Sequence, residues 1–158
     1  MNIKKDELAI AVLLPLAVGM VASYLTTGAQ TMFYMVNKPP LSPPGWLVPV
    51  VWTILYILMG IASYIIYQQG KDREDVKSAL SFYLVQLAFN FFWTIIFFNY
   101  ESYLFAFLWL IILWGLILIT ILKFHKISPV AAYLMIPYLI WVTFAGYLNL
   151  SIYMLNSI

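Results

Sequence analysis

Five stretches of the chain are apolar for long enough to cross a hydrocarbon core, which takes about 20 helical residues. They run from Leu8 to Thr26, Trp46 to Tyr67, Ala79 to Phe98, Tyr103 to Leu122 and Val130 to Leu155. Each is a continuous apolar run, unlike the alternating ten-residue segments of a membrane β-barrel. The pattern therefore predicts an all-α membrane protein, a bundle of five transmembrane helices forming one domain over residues 1–158. Every Asp, Glu, Lys and Arg lies outside the runs, as expected where a charge at bilayer depth costs about 2.5–3.5 kcal/mol or more. Ser128-Pro129 reads as an N-cap followed by proline at the first helical position, so the fifth helix should begin there. Gly70 and the charged run Lys71-Asp72-Arg73-Glu74-Asp75 mark a water-facing turn after the second span. Pro15 and Pro137 lie inside spans, where each removes a backbone hydrogen bond and is expected to bend its helix and leave room for a cavity.

Composition agrees with lipid as the principal solvent. Hydrophobic residues make up 65% of the chain and charged ones 9%, against about 45–50% and about 25% in soluble domains. The net charge of +2 comes without a basic patch interleaved with aromatics, so no nucleic-acid partner is expected. The absence of cysteine removes disulfides, thiol nucleophiles and thiolate metal sites. Lys4, Lys5, Lys71, Arg73, Lys77, Lys123 and Lys126 share one side of a five-span chain, and Lys38 alone is on the other. This asymmetry predicts a multi-pass protein with a cytoplasmic amino terminus and an external carboxyl terminus. Lys4 and Lys5 before an apolar run, with Thr27-Gly28-Ala29 after it, also suggest a signal peptide, but the run exceeds the usual apolar core of about 7–15 residues and is read as a span.

The first connection, from Gly28 to Gly45, ends in Lys38-Pro39-Pro40-Leu41-Ser42-Pro43-Pro44-Gly45. Its prolines favour a stiff, extended track, suited to a lid over the bundle or equally to a spacer leading into the second span. Helical phase supplies the remaining signal. Gln86, Asn90, Trp93 and Phe97 form one stripe on the third span; Tyr138, Trp141, Ala145 and Asn149 form another on the fifth; Trp52, Tyr56 and Met59 follow the same spacing on the second. A neutral amide in hydrocarbon needs a partner, so Gln86, Asn90 and Asn149 should face other helices or a cavity, and the aromatics on their stripes should face inward with them. Two readings follow. Converging stripes can wall a pocket for a flat, mostly apolar small molecule, or the amides can bond helix to helix with the aromatics as packing.

Other chemistries lack their parts. The one histidine, His125, sits between Lys123 and Lys126 without cysteines or carboxylate clusters around it in sequence, so no metal site and no required cofactor are expected. With no charge inside a span and no nucleophile–base pair, neither ion-coupled transport nor acid–base catalysis is indicated.

The segments Lys38-Pro39-Pro40-Leu41-Ser42-Pro43-Pro44-Gly45-Trp46, Pro49-Val50-Val51-Trp52-Thr53, Gln86-Leu87-Ala88-Phe89-Asn90-Phe91-Phe92-Trp93 and Pro137-Tyr138-Leu139-Ile140-Trp141-Val142-Thr143-Phe144-Ala145 resemble the tryptophan-rich sensory protein, or translocator protein, family, which includes the peripheral benzodiazepine receptor. The likeness extends from the first span to Asn149. It implies a five-helix bundle, often a homodimer, that binds porphyrins such as protoporphyrin IX and haem, and hydrophobic ligands of the benzodiazepine site. It implies a cavity beneath the first loop drawing on Tyr34, Pro43, Trp52, Asn90, Trp93, Tyr138, Trp141 and Ala145, to which the stripes add Tyr56, Gln86 and Phe97. Light- and oxygen-dependent breakdown of protoporphyrin, ascribed to some members, would make Trp52 and Trp141 the redox candidates, and the older family name suggests passive movement of tetrapyrroles. The chain departs from the family pattern in the loop, where Phe33 precedes Tyr34 in place of a Trp and Leu41 stands where a Trp often follows the prolines. These departures bear on the breakdown activity, which is ascribed to cavity tryptophans, more than on binding. The sterol motif of animal members needs a basic residue near the carboxyl end, and none follows Asn149. The short tail and the lack of a transit peptide fit a bacterial member in the cell membrane.

Overall fold

The computed structural model describes residues 3–29 and 35–156, and among these it contains five long helices and no strand. They are α1 (Lys5–Leu25), α2 (Leu47–Tyr67), α3 (Glu74–Phe98), α4 (Tyr103–Ile127) and α5 (Pro129–Asn156). All five are long and apolar enough to span a bilayer. The helices α3 and α4 extend beyond the apolar runs at their polar ends. There, Glu74 and Asp75 occupy the first turn of α3, and His125 and Lys126 the last turn of α4. Asp6 and Glu7 open α1 in the same way. The carboxylates of the first turns and Lys126 in the last turn of α4 have the sign that complements their helix termini. Pro129 stands at the first position of α5 directly after an extended Ser128. Its missing N–H costs nothing at that place. Both α1 and α5 continue through their internal prolines, Pro15 and Pro137.

Neighbours in space are only partly neighbours in sequence: α2 packs on α5, and α3 on α1. Around the bundle the order is α1, α2, α5, α4, α3, with α3 returning to α1. Lipid offers no hydrophobic gain for burying one apolar helix against another, so such contacts depend on close van der Waals fit and are favoured by small residues. Ala62, Ala79, Ala131 and Ala132 are fully or almost fully buried at these contacts, beside Met59, Ile66, Ile117, Phe124 and Met135. The closest approach is at Gly60, where an added Cβ would lie 2.5 Å from Val12 Cα and 2.7 Å from Ala11 O. The row Ala11, Pro15, Gly19 and Ser23 on α1 therefore serves contacts within the chain: Ala11 meets Gly60, Pro15 is buried, Gly19 packs under the Tyr56 ring and Ser23 borders a cavity. Large apolar side chains such as Leu13, Phe105, Ile112 and Ile140 point outward on all sides, as a lipid-facing belt requires.

The ends of the bundle differ. At one end the Lys4 N–H donates to Tyr64 Oη at 2.8 Å, Gln68 Nε2 donates to Glu7, and Lys123 Nζ donates to Ser78 Oγ at 3.0 Å. The start of α1, the α2–α3 turn and the α4–α5 turn, with nearly all the charge, meet there. At the opposite end the Pro-rich segment lies against α5. Tyr147 Oη donates to Pro40 O at 2.9 Å, and Asn156 exchanges two hydrogen bonds with the backbone of Asn37, at 3.1 and 2.9 Å. Ser42 Oγ closes the segment on Pro39 O at 2.8 Å. Leu41, next to it, takes a φ of 71°, unusual for a residue with a branched side chain.

Candidate functional site

Beneath this segment the helices diverge around a cavity of about 640 Å³. Its walls come from α1, α2, α3 and α5, and its mouth from Lys38, Ser42, Pro43 and Gly45; α4 contributes nothing to the lining. The reason lies in the helix order. Since α4 packs behind α3 and α5, its Trp109 and Trp114 face away from the cavity and bond to Phe89 O and Thr143 Oγ1, each at 2.9 Å.

The aromatic wall has two parts. Trp52 stacks on Tyr56 with ring centroids 5.5 Å apart, and presents an edge to Tyr138 at 6.2 Å and to Trp141 at 6.4 Å. Across the space Trp93 stacks on Phe97 at 5.1 Å. The Trp93 indole N–H donates to Asn149 Oδ1 at 3.0 Å, and Asn149 Nδ2 donates to the carbonyl of Tyr103 at 2.8 Å. That ring is thus held by α5 and by the first residue of α4. Trp52 and Trp141 are held by packing. Among the described residues Lys38 is the one charged side chain in the lining, at the rim.

Below the aromatic floor is a buried polar network joining three helices. Tyr56 Oη donates to Asn90 Oδ1 at 3.0 Å, Asn90 Nδ2 donates to Tyr138 Oη at 2.9 Å, and Tyr138 Oη donates to Gln86 Oε1 at 2.7 Å. Asn90, Gln86 and Tyr138 are at most 1% exposed. A polar group in a bilayer-depth interior is costly without a partner, and here four residues supply one another in series through three bonds.

The residues singled out in the sequence are thus placed in two layers. Pro43, Trp52, Tyr56, Trp93, Phe97, Trp141 and Ala145 line the cavity. Gln86, Asn90 and Tyr138 lie under it and bond to each other and to Tyr56. Tyr34 lies outside the described residues. Sequence reasoning missed the α1 wall of Leu16, Gly19, Met20, Ala22 and Ser23, and the rim lysine Lys38. Gly19 and Ser23 belong to the small-residue row of α1, and spacing alone does not say whether such a row meets a helix or a void. No group of three or more His, Asp or Glu that could hold a metal occurs among the described residues.

Five membrane-spanning helices arranged around an aromatic cavity, with a Pro-rich segment across its mouth, define a multi-pass helical membrane protein with an internal site. The chain belongs to the TspO/MBR family, whose model matches residues 11–155. It is 38% identical to the tryptophan-rich protein TspO of Chlorobaculum tepidum, over 99% of each chain. It is 37% identical to the tryptophan-rich sensory protein of Cereibacter sphaeroides over 83% of each chain. With the translocator protein of Bos taurus it shares 34% identity over 92% of this chain and 88% of the other.

Proposed function

We propose that this protein binds a flat hydrophobic ligand of the porphyrin class, such as protoporphyrin IX or haem, in the cavity beneath the Pro-rich segment, and that ligands of the benzodiazepine-site type compete for the same space. The observation that carries this reading is the combination of volume and wall. About 640 Å³ falls within the roughly 300–1,000 Å³ of pockets for small organic ligands. Trp52 and Trp141 offer faces and edges for stacking, Tyr56 closes the floor, and Lys38 stands at the rim where an acidic substituent of a porphyrin would emerge. Pro43 and Ala145 give the ring close approach. Gln86, Asn90 and Tyr138 act one layer down, by fixing Tyr56 and through it Trp52. The role is regulatory, in tetrapyrrole or stress sensing, and needs no resident cofactor. The amino terminus faces the cytoplasm, because the lysine-rich end of the bundle is the one that holds it. The homodimer implied by the family resemblance would use outward faces, the small-residue row of α1 being occupied within the chain.

Titration of the purified protein with protoporphyrin IX in the dark, followed by tryptophan quenching, tests the site. Trp141→Ala should weaken saturable quenching about tenfold, the loss of one stacked aromatic wall. Unchanged affinity would remove Trp141 from the site. The segment should act as a latch: Tyr147→Phe with Asn156→Ala removes its side-chain bonds to α5, so ligand dissociation in stopped-flow should quicken severalfold with little effect on melting temperature. Equal off-rates would leave the segment as a spacer.

A second reading, light- and oxygen-dependent breakdown of protoporphyrin, is favoured by the direct ring contacts that run from Trp141 through Trp52 to Tyr56 and Tyr138. It requires protein-dependent loss of porphyrin absorbance under light that slows in Trp52→Phe or Trp141→Phe. Equal rates in both variants would make the protein a bystander to the photochemistry.

A further inference from the structure

The polar network under the cavity does not end at Gln86. Gln86 uses its carbonyl oxygen on Tyr138, while its Nε2 and the hydroxyl of Tyr83 have no hydrogen-bond partner among the described residues. Both side chains are buried, Gln86 at 0% and Tyr83 at 2% exposure. They stand three residues apart on α3 and so share one face of that helix. The Ser63 hydroxyl of α2 sits beside the Tyr83 hydroxyl, yet its own proton goes to Gly60 O at 2.9 Å and no hydrogen bond closes between the two. Turning the Gln86 amide over would not help, because it would strand the oxygen in place of the nitrogen. Two buried polar atoms on one helix face, each without a partner, are costly anywhere in a protein, and in a bilayer-spanning bundle no outside solvent reaches them.

We infer that this place is a binding site for a single structural water molecule, held by Tyr83, Gln86 and Ser63 and tying α2 to α3 below the cavity floor. The donor count fits. A water has two lone pairs, which accept the Gln86 N–H and the Tyr83 O–H, and its own proton reaches a lone pair of Ser63 Oγ. Three hydrogen bonds is the usual number for a buried water. The direction of donation also fits. From Tyr56 to Asn90, to Tyr138, to Gln86, each side chain passes its hydrogen to the next, and the water continues the series to Ser63 in the same sense. Bonds aligned head to tail polarise one another, so the site extends the floor network from three helix-bridging bonds to a column that reaches Ser63, about one turn before the end of α2.

Removing the Tyr83 hydroxyl tests the inference by sign. If the hydroxyl holds a water, Tyr83→Phe deprives Gln86 and Ser63 of the bridge, and the melting temperature of the full-length protein in nanodiscs should fall by roughly 3–8 °C. If the hydroxyl is merely stranded, Tyr83→Phe removes a buried unpaired group and the protein should melt at the same temperature or higher. Ser63→Ala should produce a smaller fall that is not additive with Tyr83→Phe. An experimental density map that resolves ordered water should show a peak within hydrogen-bond distance of Tyr83 Oη and Gln86 Nε2. A map without that peak, an unchanged or raised melting temperature, or strict additivity of the two substitutions would each overturn the assignment.

Discussion

Asn90→Leu should lower the stability of the bundle by about 2–4 kcal/mol, more than any substitution in the aromatic wall. Asn90 bonds to two other helices at once, accepting from Tyr56 on α2 and donating to Tyr138 on α5. Interhelical hydrogen bonds in membranes are individually modest, averaging about 0.6 kcal/mol. The substitution does more than delete two of them. Leucine fills much of the space but leaves the Tyr56 hydroxyl with no acceptor and Tyr138 with one bond fewer, in a place with no solvent to compensate, and such stranding costs about 1–3 kcal/mol per group. Thermal unfolding in nanodiscs should register the loss as a fall of roughly 5–15 °C. A double-mutant cycle with Tyr138→Phe should be strongly non-additive, because the second substitution removes a bond the first has already broken. A stability change below about 1 kcal/mol would mean that the network is not what joins α2, α3 and α5 below the cavity. The contrast with Trp141→Ala is informative in itself. That substitution is expected to act on ligand affinity, whereas Asn90→Leu acts on the scaffold first and on affinity only through Tyr56 and Trp52.

This division was half visible in the sequence. An amide in an apolar run must be satisfied, and the helical period places it on a face, so Gln86, Asn90 and Asn149 could be assigned to the interior from phase alone. Phase has no depth, however. Gln86 and Trp93 lie on the same stripe of α3, yet one is sealed beneath the floor and the other lines the cavity, because the helices pack tightly through Ala62, Ala79 and Ala131 at the charged end and diverge toward the Pro-rich end. Which amide would find which tyrosine was not legible either. Tyr138 reaches Asn90 because α5 lies beside α2 rather than at the end of the row, and that neighbour relation belongs to tertiary packing. The positions of the five helices were readable for the opposite reason: the cost of placing charge or an unpaired backbone group in hydrocarbon is large and local, and leaves its mark on every span. The α1 wall was missed because the residues that border a void there, Leu16, Gly19, Met20 and Ala22, are as apolar as those that face lipid.

Family membership and geometry constrain the function from different sides. The relatives establish the scaffold over almost the whole chain, while the residues in the wall determine what it can hold. The Leu41 backbone, with φ at 71°, and the Tyr147 bond to Pro40 shape the mouth so that Pro43 and Lys38 border the cavity. A ligand must pass this rim or part the helices. With α4 excluded from the lining, the wall able to yield without breaking the polar network is α1, which shares no side-chain bond with Asn90, Gln86 or Tyr138.

For that reason Gly60→Leu should have the second of the two large effects, and it should fall on α1. In α2 an alanine in place of glycine would ordinarily help, since glycine is the poorer helix former by about 0.8–1.0 kcal/mol. At Gly60 the space is taken by backbone: Val12 Cα at 2.5 Å, Ala11 O at 2.7 Å and Val12 N at 3.0 Å from the added Cβ. Backbone atoms have no rotamer to yield, so α1 must move away as a body. Its hold on the bundle is close fit, and close fit is the main force between apolar helices in lipid. Gly60→Ala should therefore cost about 1–3 kcal/mol, the range of an overpacked core, and Gly60→Leu more than about 3 kcal/mol, with the α1 wall of the cavity opened and porphyrin quenching lost together with thermal stability. Gly115 on α4 provides the control, because nothing lies within 4 Å of a Cβ added there. Gly115→Ala should be neutral or stabilising by up to about 1 kcal/mol through helix propensity alone. Opposite signs for the two alanine variants would locate the specificity of the α1–α2 contact in the single missing methyl of Gly60, and equal signs would show that α1 is held elsewhere.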